Sequence, residues 1–129
     1  MIPTPLSVLV VDDSIIAQKK ISALLDELGH TVVGLASNGA EAVTKYIHLM
    51  PDLVTMDITM PGTDGIVATQ RIVEKYPSAL IIMVSSHGQE GMVMAALEAG
   101  AKGYVLKPVE KDKLKDMVQK VVDRYVLRS

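Results

Sequence analysis

The sequence predicts an α/β protein, built as one open parallel sheet with helices on both faces, and three observations support this. Short apolar runs alternate with segments whose apolar residues recur at helical spacing, the pattern of successive strand–helix–strand units. Several runs are apolar at consecutive positions, as expected for strands that helices cover on both sides. Hydrophobic residues make up 49% of the chain but aromatic residues only 3%, which favours buried aliphatic strands over a β-sandwich core.

Five strands are expected, and each is a run of mostly apolar residues. Two of these runs lead directly into acidic residues, because Val11 is followed by Asp12 and Met56 by Asp57. The predicted strands are Ser7–Val11, Thr31–Ala36, Asp52–Met56, Ala79–Ser85 and Gly103–Leu106.

Five helices are expected, one after each strand. Asn38, followed three residues later by Glu41, predicts an N-cap and a capping box for the second helix, which Pro51 ends. The other helices are expected over about residues 65–76, 89–99 and 111–127. The first helix is predicted by apolar residues at i, i+3, i+4 and i+7 and by a glycine stop, namely Ile21, Leu24, Leu25, Leu28 and Gly29.

Strand and helix alternate five times and fill the chain, so we expect a single domain over residues 1–129. Met1 and a complete last helix favour a full-length protein over a module cut from a longer regulator. Right-handed crossovers leave few topologies for such a sheet. Among them we adopt, rather than derive, the order 2-1-3-4-5 of flavodoxin-like doubly wound folds.

The composition argues against several classes of protein. Thirteen basic and fifteen acidic residues are mixed along the chain and give a net charge of −2, so no nucleic-acid footprint is indicated. Without cysteine the chain has no disulfide and no thiolate metal site. No apolar stretch approaches the roughly 18 residues of a membrane span, and the amino terminus lacks the features of a signal peptide, so a cytoplasmic location is expected.

Residues with useful chemistry stand at the carboxyl ends of four predicted strands. Asp12 and Asp13 follow strand 1, Asp57 follows strand 3, Ser85 ends strand 4, and Lys107 follows strand 5. In the adopted order they line one crevice, at the edge where open α/β sheets bind ligands. Crowded carboxylates repel one another until a proton or a cation relieves them. The set predicts a carboxylate nucleophile beside a divalent cation, with a hydroxyl and an ammonium to hold a phosphoryl group.

The chain resembles the receiver domains of two-component response regulators over residues 7–127. Four motifs carry the resemblance, and each surrounds one of the strand ends just described. They are Val10-Val11-Asp12-Asp13-Ser14, Met56-Asp57-Ile58-Thr59-Met60-Pro61-Gly62-Thr63-Asp64-Gly65, Met83-Val84-Ser85-Ser86 and Tyr104-Val105-Leu106-Lys107-Pro108.

This resemblance implies that Asp57 accepts a phosphoryl group from a kinase phosphohistidine. It implies that Asp12, Asp13, Asp57 and the backbone carbonyl of Thr59 hold Mg²⁺. It also implies that the protein is not an enzyme toward other substrates and catalyses only its own phosphorylation and dephosphorylation.

The resemblance assigns further residues around the phosphoryl group. Ser85 and Lys107 are expected to bind its oxygens, and Ser85 with Tyr104 is expected to form the switch that reports phosphorylation. Tyr104 is expected to turn into the space that the Ser85 loop vacates. Thr59 and His87, two residues after Asp57 and Ser85, occupy positions that tune the lifetime of the phosphate.

No effector domain follows the last helix, so the closest likeness is to single-domain, chemotaxis-type regulators. The implied partners are a histidine kinase, an output partner such as a flagellar motor switch protein, and a phosphatase. We expect a monomer that binds neither nucleic acid nor a membrane.

Other functions are compatible with parts of the sequence. A phosphorelay intermediate, which passes its phosphate to a histidine phosphotransfer protein, would use the same residues. A phosphatase with an aspartate nucleophile is disfavoured. Such enzymes have an Asp-x-Asp motif after strand 1, with the second acid as general acid, and here Ser14 stands at that second position. An FMN carrier is disfavoured because Asp12 and Asp13 would repel the phosphate of the cofactor.

Overall fold

The computed structural model describes residues 5–126, and its centre is one parallel sheet of five strands in the order β2-β1-β3-β4-β5. This confirms the predicted α/β class and strand order. The connection that leaves β1 leads to β2 and the one that leaves β3 leads to β4, in opposite directions along the sheet, so a crevice opens at the carboxyl ends of β1 and β3. The strands are β1 (Ser7–Val11), β2 (Thr31–Ala36), β3 (Leu53–Met56), β4 (Ile81–Ser85) and β5 (Gly103–Leu106).

Two strands begin later than predicted, because polar contacts at their amino ends replace the strand ladder. Asp52 lies outside β3, and its carboxylate accepts hydrogen bonds from the Ser7 backbone N–H at 2.8 Å and from the Ser7 hydroxyl at 3.1 Å. Ala79 lies outside β4, and its N–H donates to the Tyr76 carbonyl at 3.0 Å, which closes a turn.

Five helices connect and follow the strands, as predicted. None of them, within residues 5–126, is long and apolar enough to cross a membrane. The predicted end of the last helix, Leu127, lies outside the described residues. The helices are α1 (Ile15–Glu27), α2 (Gly39–Leu49), α3 (Gly65–Lys75), α4 (Glu90–Glu98) and α5 (Lys111–Tyr125).

Side-chain caps begin three of the helices. Ser14, Asn38 and Asp64 each accept a hydrogen bond from the backbone N–H three residues later, which satisfies an otherwise unpaired donor. The predicted N-cap of α2 is therefore confirmed. Its capping box differs by one residue, because the Glu41 carboxylate accepts from the N–H of Ser37, at 3.0 Å, instead of that of Asn38.

The sheet separates two apolar clusters. On one face α2, α3 and α4 pack residues such as Ala42, Ile72 and Ala96 against the strands. On the other face α1 and α5 contribute Leu25 and Leu114. Helices on both faces explain why β1, β3 and β4 are apolar at nearly every position.

The edge strand β2 is interrupted in two ways. Its register with β1 shifts between Val8 and Leu9. The Ala36 carbonyl faces β1, where it accepts from the Asp12 N–H at 3.0 Å, so the preceding carbonyl, that of Leu35, faces away from the sheet. There it accepts a hydrogen bond from the Lys45 ammonium. One outward acceptor of the edge is thus already used within the chain.

Candidate functional site: an acidic crevice at the carboxyl edge of the sheet

Strand register brings the predicted site residues together. Val11 pairs with Met56, so the acids that follow them lie side by side, and the Asp57 N–H donates to the Val11 carbonyl at 2.9 Å. On the other side of the crevice the Lys107 N–H donates to the Ser85 carbonyl at 2.9 Å. Main-chain bonds therefore fix the spacing of both pairs.

Three carboxylates form the floor of the crevice. One oxygen from each of Asp12, Asp13 and Asp57 lies within 4.8 Å of the other two. Asp12 is fully buried and Asp57 is 6% exposed, whereas Asp13 is exposed to solvent. This donor set fits Mg²⁺, which prefers carboxylate oxygens and retains several waters, and the open side at Asp13 leaves room for those waters.

Lys107 supplies the positive charge of the crevice. Its ammonium lies 2.7 Å from a carboxylate oxygen of Asp12 and 3.6 Å from one of Asp57. Its side chain is 25% exposed, so the lysine reaches from the surface into the buried acids. One ammonium faces two close carboxylates and a third nearby, and the crevice keeps an excess of negative charge.

The pKa of Asp57 reflects this imbalance. Burial, the largest cause, and repulsion from Asp12 raise this pKa, which is about 6 instead of the usual 3.8. The Lys107 ammonium and the Ile58 N–H, which donates to Asp57 at 2.9 Å, lower it and only partly offset the rise. The carboxylate of Asp57 is thus costly to ionise unless a cation joins it.

Asp12 is held by contacts that sequence analysis identified only in part. Its carboxylate accepts from the Ser14 N–H at 2.9 Å. Its backbone carbonyl accepts from the side-chain amide of Gln18 at 2.6 Å, and the same amide group lies 3.2 Å from the Ala36 carbonyl. Gln18 was missed, although a signal exists: it lies three residues before Ile21, on the face of α1 that is otherwise buried and apolar.

The loop after β4 centres on His87. Its N–H donates to the Ser85 hydroxyl at 3.1 Å, and its ring Nε2 lies 2.9 Å from the Thr59 hydroxyl. Its carbonyl accepts from the Tyr104 hydroxyl at 2.5 Å. The four residues assigned to switching and phosphate lifetime therefore form one hydrogen-bonded chain, although their roles stay predictions.

The position of Tyr104 adds detail to the expected switch. Its half-buried ring packs against the apolar cluster under α4, and its hydroxyl already bonds the loop that follows Ser85. A shift of that loop must therefore move or break the Tyr104 bond. For Thr59, the contact described is that of its side chain, and the predicted role of its carbonyl in metal binding stays a prediction.

Comparison with known proteins agrees with this geometry. The family model of the response regulator receiver domain matches residues 8–119. The chemotaxis protein CheY of Listeria monocytogenes is 43% identical over 115 residues, which cover 89% of this chain and 97% of that protein. The CheY of Bacillus subtilis is 44% identical over 116 residues, which cover 90% and 97%. A chain in the CheX–CheY–BeF₃–Mg²⁺ complex from Borrelia burgdorferi is 38% identical, with a TM-score of 0.88 over 91% of this chain and 89% of that one.

Proposed function

Because the chain belongs to the response regulator receiver family and is CheY-like, we propose that it is a phosphorylation-driven switch whose acceptor is Asp57. The observation that carries this proposal is the placement of Asp57. It follows the central strand β3, lies among the acids of the crevice, and has its pKa raised to about 6.

Phosphoryl transfer to Asp57 uses the residues of the crevice. A carboxylate oxygen of Asp57 forms a bond to phosphorus while the bond to the donor histidine nitrogen breaks and its electron pair leaves with that nitrogen. Asp12, Asp13 and Asp57 would hold Mg²⁺, which would neutralise charge on the phosphoryl oxygens. Lys107 and Ser85 then bind two of these oxygens. For Lys107 this means leaving a carboxylate contact that it makes now.

The proposed output surface is formed by α4, β5 and α5. A groove of about 310 Å³ between β5 and α5 is lined by Tyr104, Leu106 and Met117 together with Lys113 and Lys120. Leu106 is exposed, Tyr104 and Met117 are half-buried, and the two lysines outnumber the one acid of the lining, Asp116. The groove therefore suits a partner segment that carries both apolar and acidic side chains.

The proposed biological setting is chemotaxis in the cytoplasm, since several relatives of the chain are chemotaxis proteins. We propose three partners: a histidine kinase as donor, a flagellar motor switch protein as output partner, and a phosphatase that resets the signal. We also propose that the protein itself is a monomer and acts on no other substrate. The CheY of Borrelia burgdorferi forms a complex with CheX, which is consistent with a regulator of this kind.

Mass spectrometry of the intact protein tests the acceptor. With acetyl phosphate and Mg²⁺, we expect one added phosphate, lost on chelation and lost in Asp57→Asn. Asp64→Asn is the matched control, because Asp64 caps α3 and asparagine can replace it as a cap. Undiminished labelling of Asp57→Asn would overturn the assignment.

In Asp13→Ala, Mg²⁺ binding should be lost while the fold is kept, since Asp13 is exposed.

A further inference from the structure

The junction between β2 and α2, residues 36–39, contacts both loops that carry the acids of the crevice. At its first residue the Ala36 carbonyl accepts from the Asp12 N–H at 3.0 Å. At its last residue the Gly39 N–H donates to the Thr63 carbonyl at 3.0 Å. Thr63 lies in the loop between β3 and α3, residues 57–64, which begins with Asp57 and includes Thr59. The junction therefore links, beyond the end of the sheet, two loops whose bases are joined by the bond from the Asp57 N–H to the Val11 carbonyl.

Space, not backbone conformation, requires glycine at position 39. A Cβ atom there would lie 2.3 Å from the Thr63 carbonyl oxygen and 2.9 Å from the Thr63 carbonyl carbon. These are backbone atoms, so no side-chain rotation relieves the clash. Any larger residue must push the loop between β3 and α3 away from α2 and break the Gly39–Thr63 hydrogen bond.

The far end of this loop is also held closely. The Gly65 N–H donates to the Ile58 carbonyl at 2.8 Å, and a Cβ atom on Gly65 would lie 1.9 Å from the Asp57 carbonyl oxygen. The loop is thus closed at its base, and Thr63 is its backbone contact to α2. A displacement at Thr63 cannot be absorbed at the base and has to spread toward Thr59.

We propose that Gly39 is a positioning residue for the cation site. It holds the loop between β3 and α3 against α2, at the distance from Asp12 and Asp13 at which one ion can contact the oxygens of both loops. This inference rests on the proposed Mg²⁺ binding. It assigns to α2, which contributes no residue to the crevice, an effect on cation affinity.

The test is Mg²⁺ titration of the full chain by ¹H–¹⁵N NMR, following backbone amides of residues 12–14 and 57–60. In Gly39→Ala we expect the dissociation constant to rise about tenfold, the lower end of what loss of an outer-shell support costs a metal site. Labelling by acetyl phosphate at saturating Mg²⁺ should largely recover. Amide exchange in residues 59–64 should quicken even without metal.

Two glycines serve as matched controls. Gly34→Ala also brings the new Cβ atom close to a neighbour, 2.6 Å from a Leu49 methyl group, but this is the end of a flexible side chain at the edge of the sheet, so Mg²⁺ affinity should be unchanged. Gly91→Ala in α4 has nothing within 4 Å of the new Cβ atom and should leave Mg²⁺ affinity unchanged, with stability equal or slightly higher. A second variant avoids any clash: Asn38→Ala removes the cap of α2, loosens the helix end that presents the Gly39 N–H, and should weaken Mg²⁺ binding by a smaller factor.

The outcomes separate this inference from the proposed function. If the parent protein binds Mg²⁺ and Gly39→Ala binds it equally well, the positioning role is wrong and the proposed function stands. Equal weakening in Gly34→Ala would show general destabilisation and also overturn the role. If the parent does not bind Mg²⁺, the proposed function fails and this inference fails with it.

Discussion

Polar residues have opposite surroundings at the two ends of the sheet. At the amino end Asp52 accepts two hydrogen bonds from Ser7, and the buried His30 accepts one from the Leu6 N–H at 3.2 Å. At the carboxyl end Asp12 and Asp57 crowd together, and the pKa of Asp57 rises to about 6. Polar groups at the amino end are paired with donors, whereas the carboxylates at the carboxyl end repel one another. A bound cation can relieve this repulsion and so favour phosphorylation.

The largest expected effect comes from removing Lys107, whose ammonium offsets part of the repulsion between these carboxylates. Lys107→Ala leaves the fully buried Asp12 carboxylate without its partner at 2.7 Å, so we expect unfolding free energy in chelator at pH 7.5 to fall by about 3 kcal/mol. Lys113→Ala is the control, because its pair with Glu110 is exposed on both sides and contributes little. Equal losses in the two variants, measured by urea unfolding, would show that the Lys107 pair contributes no more than an exposed pair does.

The second prediction concerns pH at the carboxyl end. Folded Asp57, with a pKa of about 6, keeps its proton where the unfolded carboxyl, at 3.8, has lost it. Its contribution is therefore present at low pH and is lost as pH rises through 6, and it amounts to about 2–3 kcal/mol. In chelator, Asp57→Asn should remove this pH dependence and be more stable than the parent at pH 7.5. Parallel stability curves from pH 4 to 7 would contradict the prediction.

The amino end should show the opposite dependence on pH. Burial lowers the pKa of His30 below 6.5, and its Nδ1 accepts from the Leu6 N–H, so a protonated ring would lose this bond. The unfolded state then takes up the proton first, and the contribution of His30 is present above pH 6.5 and lost on acidification. His30→Asn, which keeps an acceptor, should lose less stability between pH 7 and 5 than the parent. Thermal melts across this range measure the difference.

The smallest effect is expected where the carboxyl end meets the output surface. Tyr104→Phe removes the hydrogen bond to the His87 carbonyl but keeps the ring in the apolar cluster, so stability should change by about 1 kcal/mol or less. Phosphorylation of Asp57 should persist. Beryllofluoride should then shift amides of residues 86–108 less than in the parent, as read by NMR. An unchanged response would show that the hydroxyl does not couple the two regions.

Much of the fold followed from periodicity. Strand–helix alternation predicted every element, and the errors in the strands are confined to the amino ends of β3 and β4, where Asp52 and Ala79 bond outside the ladder. Such contacts join residues far apart in the chain and leave no local pattern. The strand order itself was adopted from folds of this kind and then confirmed.

The candidate site divides along the same line. The acids, Ser85 and Lys107 were predictable because each stands at a strand end and resembles a family motif. Gln18 could be noticed only as a polar residue on the buried face of α1, and Gly39 could not be predicted, since the importance of both depends on what faces them: the Asp12 carbonyl in one case and the Thr63 carbonyl in the other. A glycine required by space gives no signal in a single sequence unless its neighbour is known.

The interrupted edge of the sheet bears on how copies of this protein can associate. An exposed strand invites a second sheet to continue it, and proteins often oppose this with a bulge or a lysine. Here β2 has both features: its register with β1 shifts, and the Lys45 ammonium occupies the outward Leu35 carbonyl. At the other edge β5 has only four residues. Extension of the sheet from one chain to the next, which leads to fibrous aggregates, is therefore disfavoured. Contacts between copies are expected to involve helical surfaces instead.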